Sequence, residues 1–440
     1  MAFVPAYILI ILLTIVVDYF AGIYIEKSEG KRRKQFLVLS IISNLSILGV
    51  FKYYNFFNAN FGRILFHFNF HNPLPLLKML LPIGLSFHTF QAMSYTIEVY
   101  RGNQKAEKHF GIYWLYVMFF PQMVAGPIER PQHLIHQFYE KHYFKIDNVV
   151  SGLRLILWGF LKKVVIADGL AHIVTDIYSY PDHFPGSGLL LGTLCFTFQI
   201  YYDFSGYSDI ARGTALVLGF SIMQNFETPY LSSSVSEFWG RWHISLSSWF
   251  RDYVYIPLGG SRVKLPRQFL NILIVFVLSG LWHGASWTFV IWGCLNGLYL
   301  IIELSTSGIR KKLFNNFKSI GAKFIVKSLG VVITFLLIMF SWIFFRSSNL
   351  HQAAYIIKHI GKGITQPFDI YGIDAAPGLL GFILLSILIV ITHWVDYKGG
   401  LTSLISHKPI VIRWATYSLI LWVIFILGVF HEKVFIYFAF

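Results

Sequence analysis

Residues 268–303 read QFLNILIVFVLSGLWHGASWTFVIWGCLNGLYLIIE and have basic loops on both sides. These loops contribute Arg262, Lys264 and Arg267 before the segment, and Arg310, Lys311, Lys312, Lys318 and Lys323 after it. Basic loops of membrane proteins stay on the cytoplasmic side, so a segment flanked by two of them must enter the membrane and return. About 36 helical residues measure roughly 54 Å, which predicts two legs of about 27 Å with a turn near residues 280–286.

The composition of the whole chain also indicates a membrane protein. Of its 440 residues, 55% are hydrophobic, 18% are aromatic and only 13% are charged, and the mean hydropathy is +0.59. A soluble domain carries about 25% charged residues, which excludes a water-soluble enzyme, and a disordered chain would be far less apolar. We therefore expect an all-α polytopic membrane protein with roughly 11–12 spans, together with re-entrant and interfacial helices.

The first predicted span covers residues 5–25. It has no basic region before it and no small-residue cleavage site after it, so it does not resemble a cleaved signal. Basic residues at 27–34 follow it and place the N-terminus outside. The remaining single spans are predicted at 36–57, 76–99, 110–126, 149–167, 188–203, 206–222, 324–345, 378–396 and 412–430. No hydrophilic stretch is long enough for a second domain, so residues 1–440 are expected to form one.

The charge balance points to the membrane surface. Lys and Arg exceed Asp and Glu by 15, and the pI is near 9.6. The basic residues lie in short loops, which favours cytoplasmic loops and anionic lipid and argues against nucleic acid binding. The two cysteines, Cys195 and Cys294, lie in apolar runs and predict no disulfide framework. The His, Asp and Glu residues lack the spacing of a metal site.

His283 falls at the predicted turn of the 268–303 hairpin, at or beyond the middle of the membrane. An imidazole at that depth faces the interior of a helix bundle or a water-filled cavity. Taken alone, it is better explained by a packed histidine that donates one hydrogen bond to a neighbouring carbonyl. The small-xxx-small spacings Gly280-xxx-Gly284 and Gly293-xxx-Gly297 predict close approach of helix backbones.

A second polar segment covers residues 238–256, where aromatic and aliphatic residues recur at helical spacing. A separate polar stripe holds Arg241, Ser245, Ser248 and Asp252. The pattern predicts an amphipathic helix that lies either in the membrane interface or against a wet cavity inside the bundle. In the second case His243 can point into that cavity.

Two more polar segments interrupt the apolar sequence. Asp203 and Asp209 lie in YYDFSGYSDI at 201–210, and carboxylates in such surroundings are normally paired. The expected partners are Arg212, Arg241 or Arg251. The segment FPQMVAGPIERP at 120–131 contains three prolines and a glycine, which predict a re-entrant or interfacial turn.

These segments together resemble the membrane-bound O-acyltransferase (MBOAT) family, in its alginate O-acetylation type. The matching text is PQMVAGPIERP at 121–131, YYDFSGYSDIA at 201–211, EFWGRWHISLSSWFRDYVYIPLGGSR at 237–262, GLWHGASWTFVIWG at 280–293 and FIYF at 435–438. Residues 1–120 fit by hydropathy only, and the motif-bearing core covers about 121–303. The resemblance implies a bundle of spans around a central funnel.

The resemblance assigns roles to single residues. His283 matches the histidine held to be catalytic in the family, and His243 matches its second characteristic histidine. The positions that shape the cavity are Asp203, Arg241, Trp242, Arg251 and Asp252. The chain departs from the family at Asn296, where members often have another histidine, and at Gly240, which replaces a commonly basic residue.

The implied reaction is acyl transfer to a hydroxyl group, which needs a base beside the oxygen. His283 is expected to take the acceptor proton and later to protonate the leaving thiolate, since imidazole titrates near working pH. His243 would orient the thioester or stabilise the oxyanion, together with the Trp282 or Asn296 side chain. Cys294 is a less favoured acyl carrier. No permanent cofactor is expected.

The expected co-substrate is a cytoplasmic acyl thioester, either acetyl-CoA or an acyl carrier protein, attracted by the basic inner loops. The resemblance implies a bacterial cytoplasmic (inner) membrane location, a periplasmic acetyltransferase partner and an envelope polysaccharide as final acceptor.

Other functions stay open at this point. The acyl group can be D-alanine for teichoic acid or acetate for peptidoglycan, although the PLGGSR ending at 257–262 favours acetate in an alginate-type member. A transporter or lipid flippase would predict inverted repeats, and the sequence has none. A scaffold for polysaccharide export would not need His243 and His283 at depth.

Overall fold

Only helices occur among the residues described by the computed structural model, which are 7–77, 82, 84–123, 126–316, 319–363 and 378–430. The α-helices are α1 (Tyr7–Lys27), α2 (Gly30–Leu48), α3 (Tyr54–His67), α4 (Leu85–Arg101), α5 (Phe110–Val117), α6 (Pro131–Leu134), α7 (Ile146–Phe160), α8 (Asp168–Ser179), α9 (Gly186–Val217), α10 (Val235–Arg241), α11 (Ile244–Phe250), α12 (Leu265–His283), α13 (Trp287–Ser305), α14 (Ser307–Asn316), α15 (Ile320–Arg346), α16 (Leu350–Gly363), α17 (Gly378–Tyr397), α18 (Gly400–Ile405) and α19 (Ile410–Leu427). Short π-helices occur at Gly49–Tyr53, Leu161–Ala167 and Arg251–Tyr255. The FIYF motif at 435–438 and Lys318 lie outside the described residues.

Seven helical segments in the described part of the chain are long and apolar enough to cross a membrane. They are Tyr7–Lys27, Gly30–His67, Leu265–His283, Trp287–Ser305, Ile320–Arg346, Leu380–Tyr397 and Ile410–Leu427. The all-α, multi-pass prediction is therefore confirmed, while these seven are fewer than the predicted 11–12 spans. Polar residues account for part of the difference, because helices such as α9 carry them among their apolar residues.

Three of the predicted spans have other boundaries in the structure. The span predicted at 110–126 is wrong as a single helix, because α5 ends at Val117 and a 3₁₀ turn at Phe120–Gln122 follows. The spans predicted at 188–203 and 206–222 belong largely to one continuous helix, α9. Gly206 does not break it: a Cβ there would lie 2.8 Å from the carbonyl oxygen of Gly159, so this glycine permits close packing on α7.

The described residues form two compact units, and the first lies within residues 1–149 and 214–223. Its core contains a buried carboxyl group on α1. Asp18 accepts hydrogen bonds from the Ser40 hydroxyl at 2.6 Å and from the Asn44 amide at 2.8 Å, both on α2. Polar pairs of this kind connect membrane helices that have no apolar driving force for association.

The second unit lies within residues 150–213 and 224–440 and contains the predicted hairpin. Helices α12 and α13 have 19 residues each, which corresponds to about 28 Å per leg. A Cβ on Gly280 would lie 2.2 Å from the Phe289 carbonyl oxygen, and one on Gly293 would lie 2.2 Å from that of Phe276. The predicted hairpin and its close helix contact are thus confirmed.

We expect Gly280→Ala to destabilise the hairpin, because the added methyl group meets backbone that cannot move without separating the legs. The expected loss in free energy of unfolding is about 1–3 kcal/mol, measured by reversible unfolding in detergent micelles. Gly361→Ala is the matched control: it lies in α16 of the same unit and its Cβ would have no neighbour within 4 Å. Equal stability of the two variants would contradict the prediction.

Candidate active site

His283 is the last residue of α12 and is 5% exposed. The chain turns over the next three residues, and α13 begins at Trp287. The Ser286 side chain caps this helix by accepting a hydrogen bond from the Thr288 amide. His283 therefore lies at the end of the hairpin opposite the basic loop 261–267.

Aromatic rings surround the His283 imidazole. The rings of Trp282 and Trp292 are each 5.0 Å from it, and the Phe345 ring is 5.3 Å away. Trp292 lies at 89° to the imidazole and stacks on Trp342 at 5.7 Å. Edge-to-face contacts of this kind hold a ring in a defined orientation.

His243 lies where the predicted amphipathic helix breaks. Helix α10 ends at Arg241 and α11 begins at Ile244, so the prediction of one helix through 238–256 is wrong. His243 has φ of 43°, in the left-handed region, and is 1% exposed. A non-glycine residue in this region is strained by about 1–3 kcal/mol, and such strain is concentrated at functional sites.

The structure brings the two predicted histidines together through Trp282. The Trp282 ring is 6.2 Å from the His243 ring and 5.0 Å from the His283 ring. Phe204 packs on His243 from α9, with ring centroids 4.6 Å apart. Burial lowers the pKa of His243, which lies outside the candidate spanning helices, to about 3, so this imidazole is neutral at physiological pH.

Buried polar atoms without a hydrogen-bond partner in the described part of the chain lie around Trp292, which contacts His283. Asn296 is fully buried and its amide nitrogen donates to the Trp292 carbonyl at 2.9 Å, whereas its Oδ1 has no hydrogen-bond partner among the described residues. The indole N–H groups of Trp292 and Trp342 also lack a partner in the described part of the chain. Trp242 is buried and its ring lies 5.1 Å from that of Trp342. Polar atoms buried without partners are rare and mark places where a ligand or water binds.

Asp203 and Asp209 lie in an ion-pair network that sequence reasoning missed. Lys163 is 2.6 Å from Asp203, and Lys162 is 2.7 Å from Asp209 and 2.8 Å from Asp396. The predicted arginine partners are largely wrong: among the described residues, Arg212 approaches Asp209 at 3.8 Å, whereas Arg241 and Arg251 pair with other carboxylates. The sequence signal for this network is the pair of lysines within the apolar run 149–167, since charged side chains in such a run need partners of opposite charge.

Of the other residues predicted to shape the cavity, some line a cavity in the structure and others do not. Arg241 pairs with Glu237 at 2.7 Å, and Arg251 pairs with its neighbour Asp252 at 2.8 Å. Of these, Arg251 lines a cavity of about 610 Å³. Its other polar and aromatic lining residues are Ser236, Trp239, Ser247, Ser248, Phe250, Tyr255, Gln268, Phe276, Ser279, Glu303, Ser307 and Arg310.

Two indole rings connect the wall of this cavity to His283. Trp239 lines the cavity and its ring is 5.8 Å from that of Trp292, which contacts His283. Ser279 also lines the cavity, one turn before His283 on α12. Glu303 is already engaged there, because its carboxylate accepts the Val235 and Ser236 amides at the start of α10. The cavity therefore has cationic side chains at its edge and aromatic rings towards His283.

The motif at 121–131 belongs to the first unit. Residues 126–130 are not helical, as predicted from the prolines and Gly126, and α6 begins at Pro131. Glu129 is fully buried; it pairs with His133 at 2.6 Å and accepts the Met223 amide. The hydrogen bond to Glu129 is the main reason why the pKa of His133 is raised.

Comparison with known proteins gives a consistent set of relatives. The sequence profile of the MBOAT, or membrane-bound O-acyltransferase, family matches residues 109–348. The chain is 40% identical over 340 residues to the probable alginate O-acetylase AlgI of Pseudomonas aeruginosa, covering 77% of this chain and 63% of that protein. It therefore spans less than two thirds of that relative.

Two further relatives are named for other acyl-transfer activities. The peptidoglycan O-acetyltransferase of Helicobacter pylori is 35% identical over 372 residues, covering 78% of this chain and 68% of that protein. The teichoic acid D-alanyltransferase of Bacillus subtilis is 28% identical over 294 residues, covering 64% of this chain and 72% of that protein. All three names describe acyl transfer to a cell-envelope or extracellular polymer.

Proposed function

Since this chain belongs to the membrane-bound O-acyltransferase family, we propose that it is an O-acetyltransferase that moves an acetyl group from a thioester to a hydroxyl group. The observation that carries the proposal is the pair of buried histidines in contact with Trp282 at the end of the hairpin. Acetate is preferred over D-alanine because the two O-acetylating relatives are 40% and 35% identical and the D-alanyl relative 28%.

In the proposed reaction His283 acts as the general base. Its imidazole removes the proton of the acceptor hydroxyl while the oxygen attacks the thioester carbonyl. The carbon–sulfur bond then breaks, and the proton passes from His283 to the leaving thiolate. The products are an ester and a free thiol, so the histidine returns to its starting state.

The developing oxyanion needs hydrogen-bond donors. Neutral His243 supplies one N–H. The indole N–H of Trp292, which has no partner among the described residues and lies beside His283, is suited to supply another. Asn296 is less suited than the sequence suggested, because an N–H of its amide already donates to the Trp292 carbonyl.

The donor is proposed to occupy the cavity that Arg251 and Arg310 line. The cavity is lined by Gln268, Ser307 and Arg310, which lie next to or within the basic segments 261–267 and 306–323. These segments are predicted to be cytoplasmic, the side on which acetyl-CoA and acylated carrier protein are made. Arginine pairs well with phosphate oxygens, and the apolar wall fits the acyl arm.

The acceptor is proposed to approach from the opposite face of a bacterial inner membrane. The final acceptor is an envelope polysaccharide, reached directly or through a periplasmic acetyltransferase partner. Relatives whose names specify alginate and peptidoglycan support a polymer of this class.

The test uses proteoliposomes that contain the purified chain, labelled acetyl-CoA, acetylated carrier protein or D-alanylated carrier protein outside, and a polysaccharide acceptor inside. We expect label on the acceptor hydroxyl groups from an acetyl donor and not from the D-alanyl donor. Transfer from the D-alanyl donor alone would favour the teichoic acid alternative. Thioester consumption no faster than in empty vesicles would disprove the proposal.

We expect the double variant Arg251→Gln/Arg310→Gln to bind the donor more weakly. The KM for acetyl-CoA should rise about 10-fold with kcat within twofold, because the lost contacts stabilise the bound donor and the transition state equally. Lys312→Gln is the control, since this exposed cation lies on α14 with Arg310 but does not line the cavity. An unchanged KM in the double variant would place the donor elsewhere.

A further inference from the structure

We infer that Asn225 is a positioning residue that holds His243 in its catalytic orientation. The inference rests on the proposed function, because it concerns the role of His243 in acyl transfer. Asn225 belongs to no sequence motif described above, and its side chain is fully buried. It acts through the backbone of residues 244 and 245, not by touching substrate.

Asn225 binds the two residues that follow His243. Its carbonyl oxygen accepts the Ile244 amide at 2.9 Å. Its side-chain Oδ1 accepts the Ser245 hydroxyl at 2.7 Å and the Ser245 amide at 3.3 Å. Three hydrogen bonds therefore fix the first turn of α11 from a residue 20 positions away in sequence.

The same segment also binds the chain before His243. The Glu227 amide donates to the Arg241 carbonyl at 3.0 Å, at the end of α10. Residues 225–227 thus connect both sides of the helix break, with Trp242 and His243 between the two attachments. A histidine does not prefer the left-handed conformation, so neighbouring contacts of this kind must impose it.

Asn225 is itself held by α9. Its amide nitrogen donates to the Ser208 hydroxyl at 3.3 Å. This fixes the amide orientation, because a reversed amide would place its N–H groups against the Ser245 amide. Asn225 therefore connects α9 to the turn that carries His243.

The experiment compares Asn225→Leu, Asn225→Asp and Ser208→Ala in the proteoliposome assay. Asn225→Leu keeps the size and removes the acceptor, and we expect kcat to fall about 10-fold with the KM for acetyl-CoA within twofold, since displaced catalytic groups lose rate. Asn225→Asp keeps the acceptor for Ser245 and is expected to recover most of that loss. Ser208→Ala leaves the bonds to Ser245 in place and should stay within about threefold of the parent rate.

A double-mutant cycle separates positioning from general stability. In a His243→Ala background, Asn225→Leu should change the residual rate by less than about twofold, because residues that act as a unit are not additive. A 10-fold fall in both backgrounds, or an equal fall in Asn225→Leu and Asn225→Asp, would overturn the inference. If His243→Ala itself keeps the parent rate, the proposed role of His243 fails instead.

Ser245→Ala provides a milder version of the same cycle should Asn225→Leu not fold. It removes the hydroxyl bond to Asn225 and keeps the Ser245 amide that Asn225 Oδ1 also accepts. We expect about a threefold loss of kcat in the parent and none in the His243→Ala background. Equal losses in the two backgrounds would again contradict positioning.

Discussion

Replacing His283 by alanine is expected to lower the acetyl-transfer rate about 10³-fold, because the variant has no base beside the acceptor hydroxyl. His283 does not line the donor cavity and is linked to it through Trp292 and Trp239, so the KM for acetyl-CoA should stay within about twofold. The measurement is the initial rate of label transfer in proteoliposomes, with donor concentration varied.

Two further variants test whether the loss comes from the missing base or from replacing a histidine in general. His283→Gln keeps a hydrogen-bonding side chain of similar size without a basic nitrogen, and it should be as inactive as His283→Ala. His359→Ala is the control: this histidine lies on α16 of the same unit, stacked on Tyr355 at 3.9 Å and away from the candidate site. A His283→Ala variant with the parent rate would leave the two-histidine mechanism without support.

The part of the site that local sequence fixes was predictable. The hairpin followed from an apolar run of known length between two basic loops, and its turn falls at His283 as expected. The roles of Gly280 and Gly293 followed from the small-xxx-small spacing. Close contact between two helix backbones requires small residues where they meet, and residues four apart lie on the same face of a helix. The family resemblance, read from motifs in order, is confirmed by the profile match to 109–348.

The parts that depend on distant residues were not predictable. The pattern around His243 has helical periodicity, yet the helix breaks there because residues 225–227 bind the backbone on both sides. The residue pair Ser205–Gly206 has the composition of a turn, yet α9 continues through it because Gly206 faces a glycine on α7. In both cases tertiary contact overrides a local signal.

The pairing of charges shows the same limit. An apolar sequence that contains Asp203 and Asp209 must supply cations, but nothing in their spacing identifies which ones. The π-helix at Leu161–Ala167 places consecutive lysines where both reach carboxylates. A π-helix is not visible in a hydropathy pattern, so the sequence alone favours the arginines of the motifs as partners of the two carboxylates.

This network leads to the second large expected effect, which concerns stability. Lys162 is almost fully buried and lies 2.7 Å from Asp209 and 2.8 Å from Asp396. Lys162→Met would remove the cation that Asp209 and Asp396 share and leave Asp209 with the more distant Arg212, at 3.8 Å. We expect a loss of about 3–5 kcal/mol in the free energy of unfolding. The measurement is reversible unfolding in mixed detergent micelles.

The cause of that loss can be separated from loss of packing. The triple variant Lys162→Met/Asp209→Asn/Asp396→Asn has no uncompensated charge in the pair, and it should recover most of the stability, because a buried ion pair contributes little beyond satisfying its own charges. Lys358→Met, on an exposed position of α16, should change stability by less than about 0.5 kcal/mol. If the triple variant is no more stable than Lys162→Met, the lysine acts by filling space, and the carboxylates are not what it compensates. If Lys162→Met matches Lys358→Met, the network does not hold the π-helix Leu161–Ala167 to α9 and α17.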